Sequence, residues 1–407
     1  MFFYSTRDYQ ATVLHELSER TRDWASFFGD MESHLSSPLR SITAPLSFIS
    51  RLAKHYPRAP FGIKEMSIDG CDVEINEEVV CENTFCRLLH FRKSHSQDAP
   101  PIMVIAPLSG HYASLLRRSI AMFFRGYDVY ITDWLNPRYI DSSKGDFGFY
   151  DFVQYICDFI STINAIDRPP HVVAICQPTA PAMVSVCHLA MSGAAAQAKS
   201  LILMGGPVDV RCNPTDVCRF ADSNSLSWFD ANVIEYVPAR YPGAFRRVYP
   251  GYIQHEAFIN MHPDKHVGEH FAFYKALLDN DKEIVKRHVN FYDTYHAVMD
   301  MTAKFFLETL QIVFKEHHLA TGKVVFKGNK IDFSAITDVP IMVIEAEFDD
   351  ICAPGQTKAA FDLCKKLPDK YKGYLFVEKA GHYGVFSGKR WENDTYYKLK
   401  AFTSKFD

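Results

Sequence analysis

The chain has 407 residues, of which 47% are hydrophobic and 23% charged, and its formal net charge is -4. That length buries one large core with an insertion, or two domains, and the charge balance carries no signature of a nucleic-acid partner. No uninterrupted apolar run is long enough to span a bilayer, so no transmembrane segment is expected.

Residues 1–95 read as a leading region that flanks the core. Tyr9 to Phe28 has helical spacing, with Val13, Leu14, Leu17 and Trp24 near one face. Ser36 to Pro60 carries several prolines and is expected to pack along the body. Cys71 to Asn76 and Phe85 to Arg92 alternate like strands. Residues 96–210 then read as the first half of an α/β core. Pro101 to Ala106 is a buried strand, Pro107 to Tyr112 a turn, and Ala113 to Phe124 a helix. A strand from Asp128 to Thr132 ends at Asp133-Trp134, and Tyr150 to Ile166 is helical. His171 to Ile175 is a further strand, followed by a helix from Thr179 to Met191 and a strand from Ser200 to Met204. Strands alternating with helices at this spacing predict a mostly parallel central sheet with helices on both faces.

The alternation stops near Asp209. Residues 211–330 hold long aromatic-rich helical stretches, such as His270 to Leu278 and Phe291 to Phe314, without a clear core strand. They read as an inserted helical cap. Residues 331–407 return to the core: a strand from Pro340 to Ala346, a helix from Gln356 to Lys366, a strand from Gly373 to Glu378, and a last helix from Trp391 to Thr403.

Cys176 stands where the His171 to Ile175 strand turns into a helix. This is the position of a nucleophile elbow, usually G-x-S-x-G, here Ala174-Ile175-Cys176-Gln177-Pro178. The nucleophile would be a thiol, and both flanking glycines are missing. A helix N-terminus helps to stabilise a thiolate. A small buried filler is the other reading of Cys176, and the stretch alone leaves both open. Asp349 follows the next-to-last strand and His382 the last one. Nucleophile, acid, histidine is the chain order of α/β-hydrolases. In that reading His382 exchanges a proton with Cys176, and Asp349 orients the imidazole. The backbone N–H groups of Gln177 and Ser109 would hold the oxyanion, each for roughly 3 kcal/mol of barrier.

Other residues compete for these roles. Asp350 adjoins Asp349, and Asp133 also ends a strand, but Asp349 comes first after its strand. His111 sits beside the oxyanion turn, where lining is expected rather than catalysis. Cys187 and Cys352 read as fillers. His266-Val267-Gly268-Glu269-His270 matches the zinc pattern H-x-x-E-H, but Gly268 weakens the helix both histidines need, so a polar helix face is expected. None of the ten cysteines forms a C-x-x-C pair. Neither a metal nor a cofactor is expected. Arg7 and Asp8 interrupt the place of a secretory leader's apolar stretch. The expectation is a reducing, cytoplasmic setting with free thiols.

With these residues in view, the chain resembles the intracellular poly(3-hydroxybutyrate) depolymerases. The likeness is carried by the cysteine elbow Ala174-Ile175-Cys176-Gln177-Pro178-Thr179 and by Asp349-Asp350-Ile351 before Gly355-Gln356-Thr357. It is carried also by Gly381-His382-Tyr383-Gly384-Val385-Phe386-Ser387-Gly388 and by the cap stretch from Phe291-Tyr292-Asp293 to Ala297-Val298-Met299-Asp300. The resemblance implies a Cys176-Asp349-His382 triad that cleaves ester bonds of stored polyester. It implies a polyhydroxyalkanoate granule as partner and a cytoplasmic, granule-associated location. Polyhydroxyalkanoate synthases share the triad type, but their elbow is typically G-x-C-x-G, and Ala174 and Pro178 replace those glycines here. A synthase and an idle granule-binding protein are the alternatives. Monomer length, hydrolysis or thiolysis by coenzyme A, and homo-oligomerisation stay open.

Overall fold

The computed structural model describes residues 2–32, 40–68, 70–94, 98–194 and 197–407. Nine strands form the main sheet: β1 Glu65–Ile68, β2 Cys71–Asn83, β3 Cys86–Lys93, β4 Pro101–Ile105, β5 Asp128–Trp134, β6 His171–Ile175, β7 Ser200–Met204, β8 Ile341–Phe348 and β9 Lys372–Gly381. Their spatial order is β1-β2-β3-β5-β4-β6-β7-β8-β9. The first three join antiparallel, and all pairs from β5 to β9 are parallel.

The central strands explain themselves by composition. Every residue of β4, β6 and β7 is buried. A strand covered by helices on both faces reads as a continuous apolar run, as Pro-Ile-Met-Val-Ile does. The covering helices include α3 Arg117–Phe123, α4 Phe149–Ile166 and α5 Thr179–Met191. On α4 the buried set Phe152, Val153, Ile156, Phe159, Ile160 and Ile163 repeats at three and four residues, one face of a helix. Its first turn is capped by Asp151, whose carboxylate accepts from the Gly148 N–H at 2.7 Å.

From β4 the chain crosses to β5 on one side and then to β6 on the other. The crevice at such a switch point, beyond the carboxyl ends of the strands, is where open α/β sheets bind ligands. The turn after β4 and Cys176 after β6 both open onto it.

Between β7 and β8 lie α6 Asp216–Ser223, α7 Leu226–Asn232, α8 Gly251–Met261, α9 Pro263–Asp279, α10 Lys282–Tyr295 and α11 Ala303–Thr309. This segment is not wholly helical: Glu235–Tyr236, Arg247–Tyr249 and Met301–Thr302 form a small antiparallel sheet. The expected helix from Phe291 to Phe314 is broken there. Asp300, fully buried, draws the chain inward by accepting from Arg138 at 3.2 Å, the Gly251 N–H at 3.0 Å and the Tyr4 hydroxyl at 2.5 Å.

Two further expectations are corrected. The helix from Gln356 to Lys366 shrinks to Ala360–Leu363. Buried Glu345 takes the Gly355, Thr357 and Lys358 amides at 2.9 Å each, so the preceding residues turn around its carboxylate instead of winding. At the N-terminus α1 spans Phe2–Glu32, longer than expected. Its Val13, Leu14, Leu17 and Trp24 are exposed rather than packed inward. The helix is held instead by Tyr4 and by Ser18, whose hydroxyl donates to the Ser50 carbonyl of α2 (Arg40–Ala53) at 2.8 Å. Residues 36–39 of the proline-bearing stretch lie outside the described residues.

Candidate active site

The backbone at Cys176 has φ +64°, the left-handed region that a non-glycine residue enters only under constraint. Three contacts impose it. The Cys176 N–H donates to the Met204 carbonyl at 2.8 Å, and its own carbonyl accepts from the Thr179 N–H at 3.1 Å. Gly206 lies so close that a Cβ there would stand 2.0 Å from the Cys176 carbonyl oxygen. The glycine that allows the sharp turn therefore sits on the neighbouring strand's exit. The elbow's own flanks are Ala174 and Pro178, so its missing glycines are compensated across the sheet.

His382 begins a short 3-10 turn directly after β9, and Asp349 follows β8. Both are buried, at 6% and 4% exposure, whereas Cys176 is partly open. His382 Nδ1 and Asp349 Oδ2 are 2.8 Å apart. The other carboxylate oxygen accepts from the Ile351 N–H at 3.0 Å and the Cys352 N–H at 2.8 Å. Cys176 and His382 line one cavity, close enough for the sulfur to act on the ring electrostatically. Burial works against the imidazolium, but the Cys176 sulfur and the Asp349 carboxylate outweigh it, and the His382 pKa lies well above its ordinary value.

A small cavity of about 40 Å³ opens over the sulfur. Ser109, His111, Ile351 and Tyr383 line it together with Cys176 and His382. Gln177 follows the sulfur, and its side chain has a role that the sequence reading missed: Oε1 accepts from the Leu108 N–H at 3.2 Å, tying the β4 turn to the elbow. A polar side chain directly after an elbow residue is the only signal for it.

The competing residues are elsewhere engaged. Asp350 points outward and pairs with His262 at 2.9 Å. Asp133 is buried against Arg58. Cys187 and Cys352 are buried, and burial pushes the Cys187 thiol up to about 12. His266 and His270 do not present a solvated face. They turn to α10, where His266 meets the Tyr292 hydroxyl at 3.0 Å and His270 meets His288 at 3.3 Å.

Strand order, the positive-φ elbow and the loops after β8 and β9 define an α/β-hydrolase. Residues 205–407 match the family described as PHB de-polymerase C-terminus. That part of the chain carries a PHB depolymerase domain, and the fold is that of a PHB depolymerase-like α/β-hydrolase. No curated protein matches the chain in sequence. Among solved structures it is similar to a soluble variant of monoglyceride lipase from Saccharomyces cerevisiae, at 12% identity and TM-score 0.47, covering 86% of this chain and 98% of that one. It is also similar to naproxen esterase from Bacillus subtilis, at 12% identity and TM-score 0.39, covering 82% and 92%. The class rests on the sheet order and the family match, not on these overlaps. Among the described residues no helix is long and apolar enough to cross a membrane.

Proposed function

We propose that this chain hydrolyses the ester bonds of poly(3-hydroxybutyrate) or a related short-chain polyhydroxyalkanoate. Its site of action is the storage granule in the cytoplasm. Cys176 is the nucleophile, His382 the acid and base, and Asp349 the orienting carboxylate. One observation carries the reading: the buried 2.8 Å His382–Asp349 pair shares a cavity with a partly open thiol on a strained elbow. The match of residues 205–407 to the PHB depolymerase family supports the choice of polymer.

The chemistry follows from this placement. The thiolate attacks the ester carbonyl and forms a carbon–sulfur bond. The oxyanion meets the Ser109 and Gln177 amides. As the intermediate collapses, the carbon–oxygen bond to the next unit breaks, and His382 Nε2 gives its proton to the departing hydroxyl. A water then loses a proton to His382 and attacks the thioester. The carbon–sulfur bond breaks, leaving a thiolate and a free 3-hydroxy acid. Asp349 stays ionised throughout and keeps Nδ1 protonated.

The test is product release from amorphous granules with and without coenzyme A. The native chain is expected to release 3-hydroxybutyrate without coenzyme A, and Cys176→Ala at most a thousandth of it, with an unchanged circular dichroism spectrum. Full turnover by Cys176→Ala would remove the nucleophile assignment. Polymer made from 3-hydroxybutyryl-coenzyme A would turn the reading toward a synthase.

A further inference from the structure

A second cavity, of about 420 Å³, lies where α1 and α2 meet the cap helices α8, α9 and α10. That is the size of a small-molecule site. Its floor is closed by the buried rings of Tyr4 and Phe273. Its mouth is open, because Leu14 and Leu52 also line it and both are exposed. It is a separate space from the one over Cys176: His255 lines this cavity and His111 the other, with ring centroids 6.3 Å apart.

The lining has an apolar wall and a charged one. Leu14, Phe48, Leu52 and Phe273 make the first. The second holds Arg7, Arg51, Lys54 and Arg138 against the carboxylate of Asp8. Most of these charges are committed. Asp8 pairs with Arg240 at 2.5 Å, Arg7 with Glu256 at 2.6 Å, and Arg138 with the buried Asp300 at 3.2 Å. Arg51 and Lys54, among the described residues, share one carboxylate, Asp293. Arg51 holds it at 2.6 Å, while its oxygens stand 3.4 Å from the Lys54 ammonium, beyond the usual N–H···O range. The Lys54 side chain is 32% exposed, so its three donors are within reach of a molecule in the cavity. The Arg51 guanidinium lies 5.8 Å over the Phe273 ring, so the two walls adjoin.

We propose that this cavity is a second binding site, for a short organic monocarboxylate, whose anion pairs with Lys54 and whose apolar body lies along Phe48, Leu52 and Phe273. Two cations around one carboxylate have a charge left for a second anion. A bare anion would leave the apolar wall in water, and a neutral hydrocarbon would leave Lys54 half-paired. Two sources share this chemistry: the carboxylate end of a short polyester fragment, and a fatty acid. The site goes beyond the esterase reading and does not depend on it, because occupancy needs no turnover.

The measurement is titration calorimetry of the full chain with hexanoate, hexanamide and inorganic phosphate, none of which carries an ester. Hexanoate is expected to bind about tenfold or more tighter than hexanamide, the worth of one charged hydrogen bond. Lys54→Met should remove most of that preference, and Cys176→Ala should leave it. Hexanamide or phosphate binding as tightly as hexanoate, or hexanoate binding unchanged in Lys54→Met, overturns the proposal. Should Lys54→Met fail to fold, Leu52→Trp, which narrows the mouth from an exposed position, decides: weakened hexanoate binding supports the site, and unchanged binding overturns it. On Cys176→Ala, which cannot turn it over, the free acid of a 3-hydroxybutyrate dimer is compared with hexanoate. Either binding through Lys54 supports the site, and the tighter of the two names the source. A native chain that hydrolyses no ester yet binds hexanoate in this way ends the esterase reading and leaves this site standing.

Discussion

The molecule contains two buried carboxylates that look alike in isolation, Asp300 and Asp349. Asp300 is fully buried and gathers Tyr4, Arg138 and the Gly251 amide, so that α1, the β5 exit and the cap meet on it. Its partners Tyr4 and Arg138 border a cavity of about 420 Å³, but neither a cysteine nor a serine lines that cavity. Asp349 takes two amides on one oxygen, but its other oxygen leads through His382 to a partly open sulfur and a cavity. Burial and pairing alone therefore do not mark chemistry. What separates the two is whether the carboxylate leads to a nucleophile: Asp349 leads through His382 to a cavity that Cys176 lines, and Asp300 to one without a thiol or a serine.

The sharpest way to break the comparison is to neutralise each carboxylate. Asp349→Asn should lower kcat roughly a thousandfold or more, because the amide fixes the wrong imidazole tautomer, while the fold survives. A loss under tenfold would demote Asp349 to a structural residue like Asp300. Asp300→Ala should instead cost stability, about 3–5 kcal/mol, because it leaves the Arg138 guanidinium buried and unpaired. Denaturant midpoints read this directly, and an unshifted midpoint would remove the junction from the stability of the fold.

A smaller effect concerns the proton on His382. Burial opposes the cation, but the sulfur and the carboxylate raise its pKa well above 6.5. Its contribution to stability is therefore fully present below pH about 6.5 and is lost as pH rises through the folded-state value. Cys176→Ala removes the first of the raising interactions, so the NMR titration midpoint of the His382 ring should fall; an unmoved midpoint would uncouple sulfur and ring. The smallest effect is expected at Asp350, exposed and paired only with His262. Asp350→Asn should change kcat/KM less than about twofold, in line with the small worth of exposed ion pairs. A large loss would return it to contention as the acid.

Much of the sheet was legible because β4, β6, β7 and β8 are apolar runs with turn residues at their exits. Counting those exits brings Cys176, Asp349 and His382 to one edge without any knowledge of contacts. The misses share a cause: each depends on a partner distant in sequence. Nothing local announces that Glu345 will take three amides and shorten the helix after Gln356, or that Asp300 will break the Phe291 to Phe314 stretch. Periodicity shows that α1 has an apolar stripe but not which way the stripe turns. The Gln177 tie to Leu108 and the cavity beside Lys54 are products of packing between distant segments, and only coordinates reveal them.

The way α1 is fastened has a thermal consequence. A helix pinned by Tyr4 and Ser18, with Val13, Leu14 and Leu17 in water, gains little from apolar burial. Its hold depends on a few directional bonds rather than on the cooperative melting of the core. On warming, the hairpin of α1 and α2 is expected to loosen before the sheet and the elbow, which faster amide exchange along α1 would show.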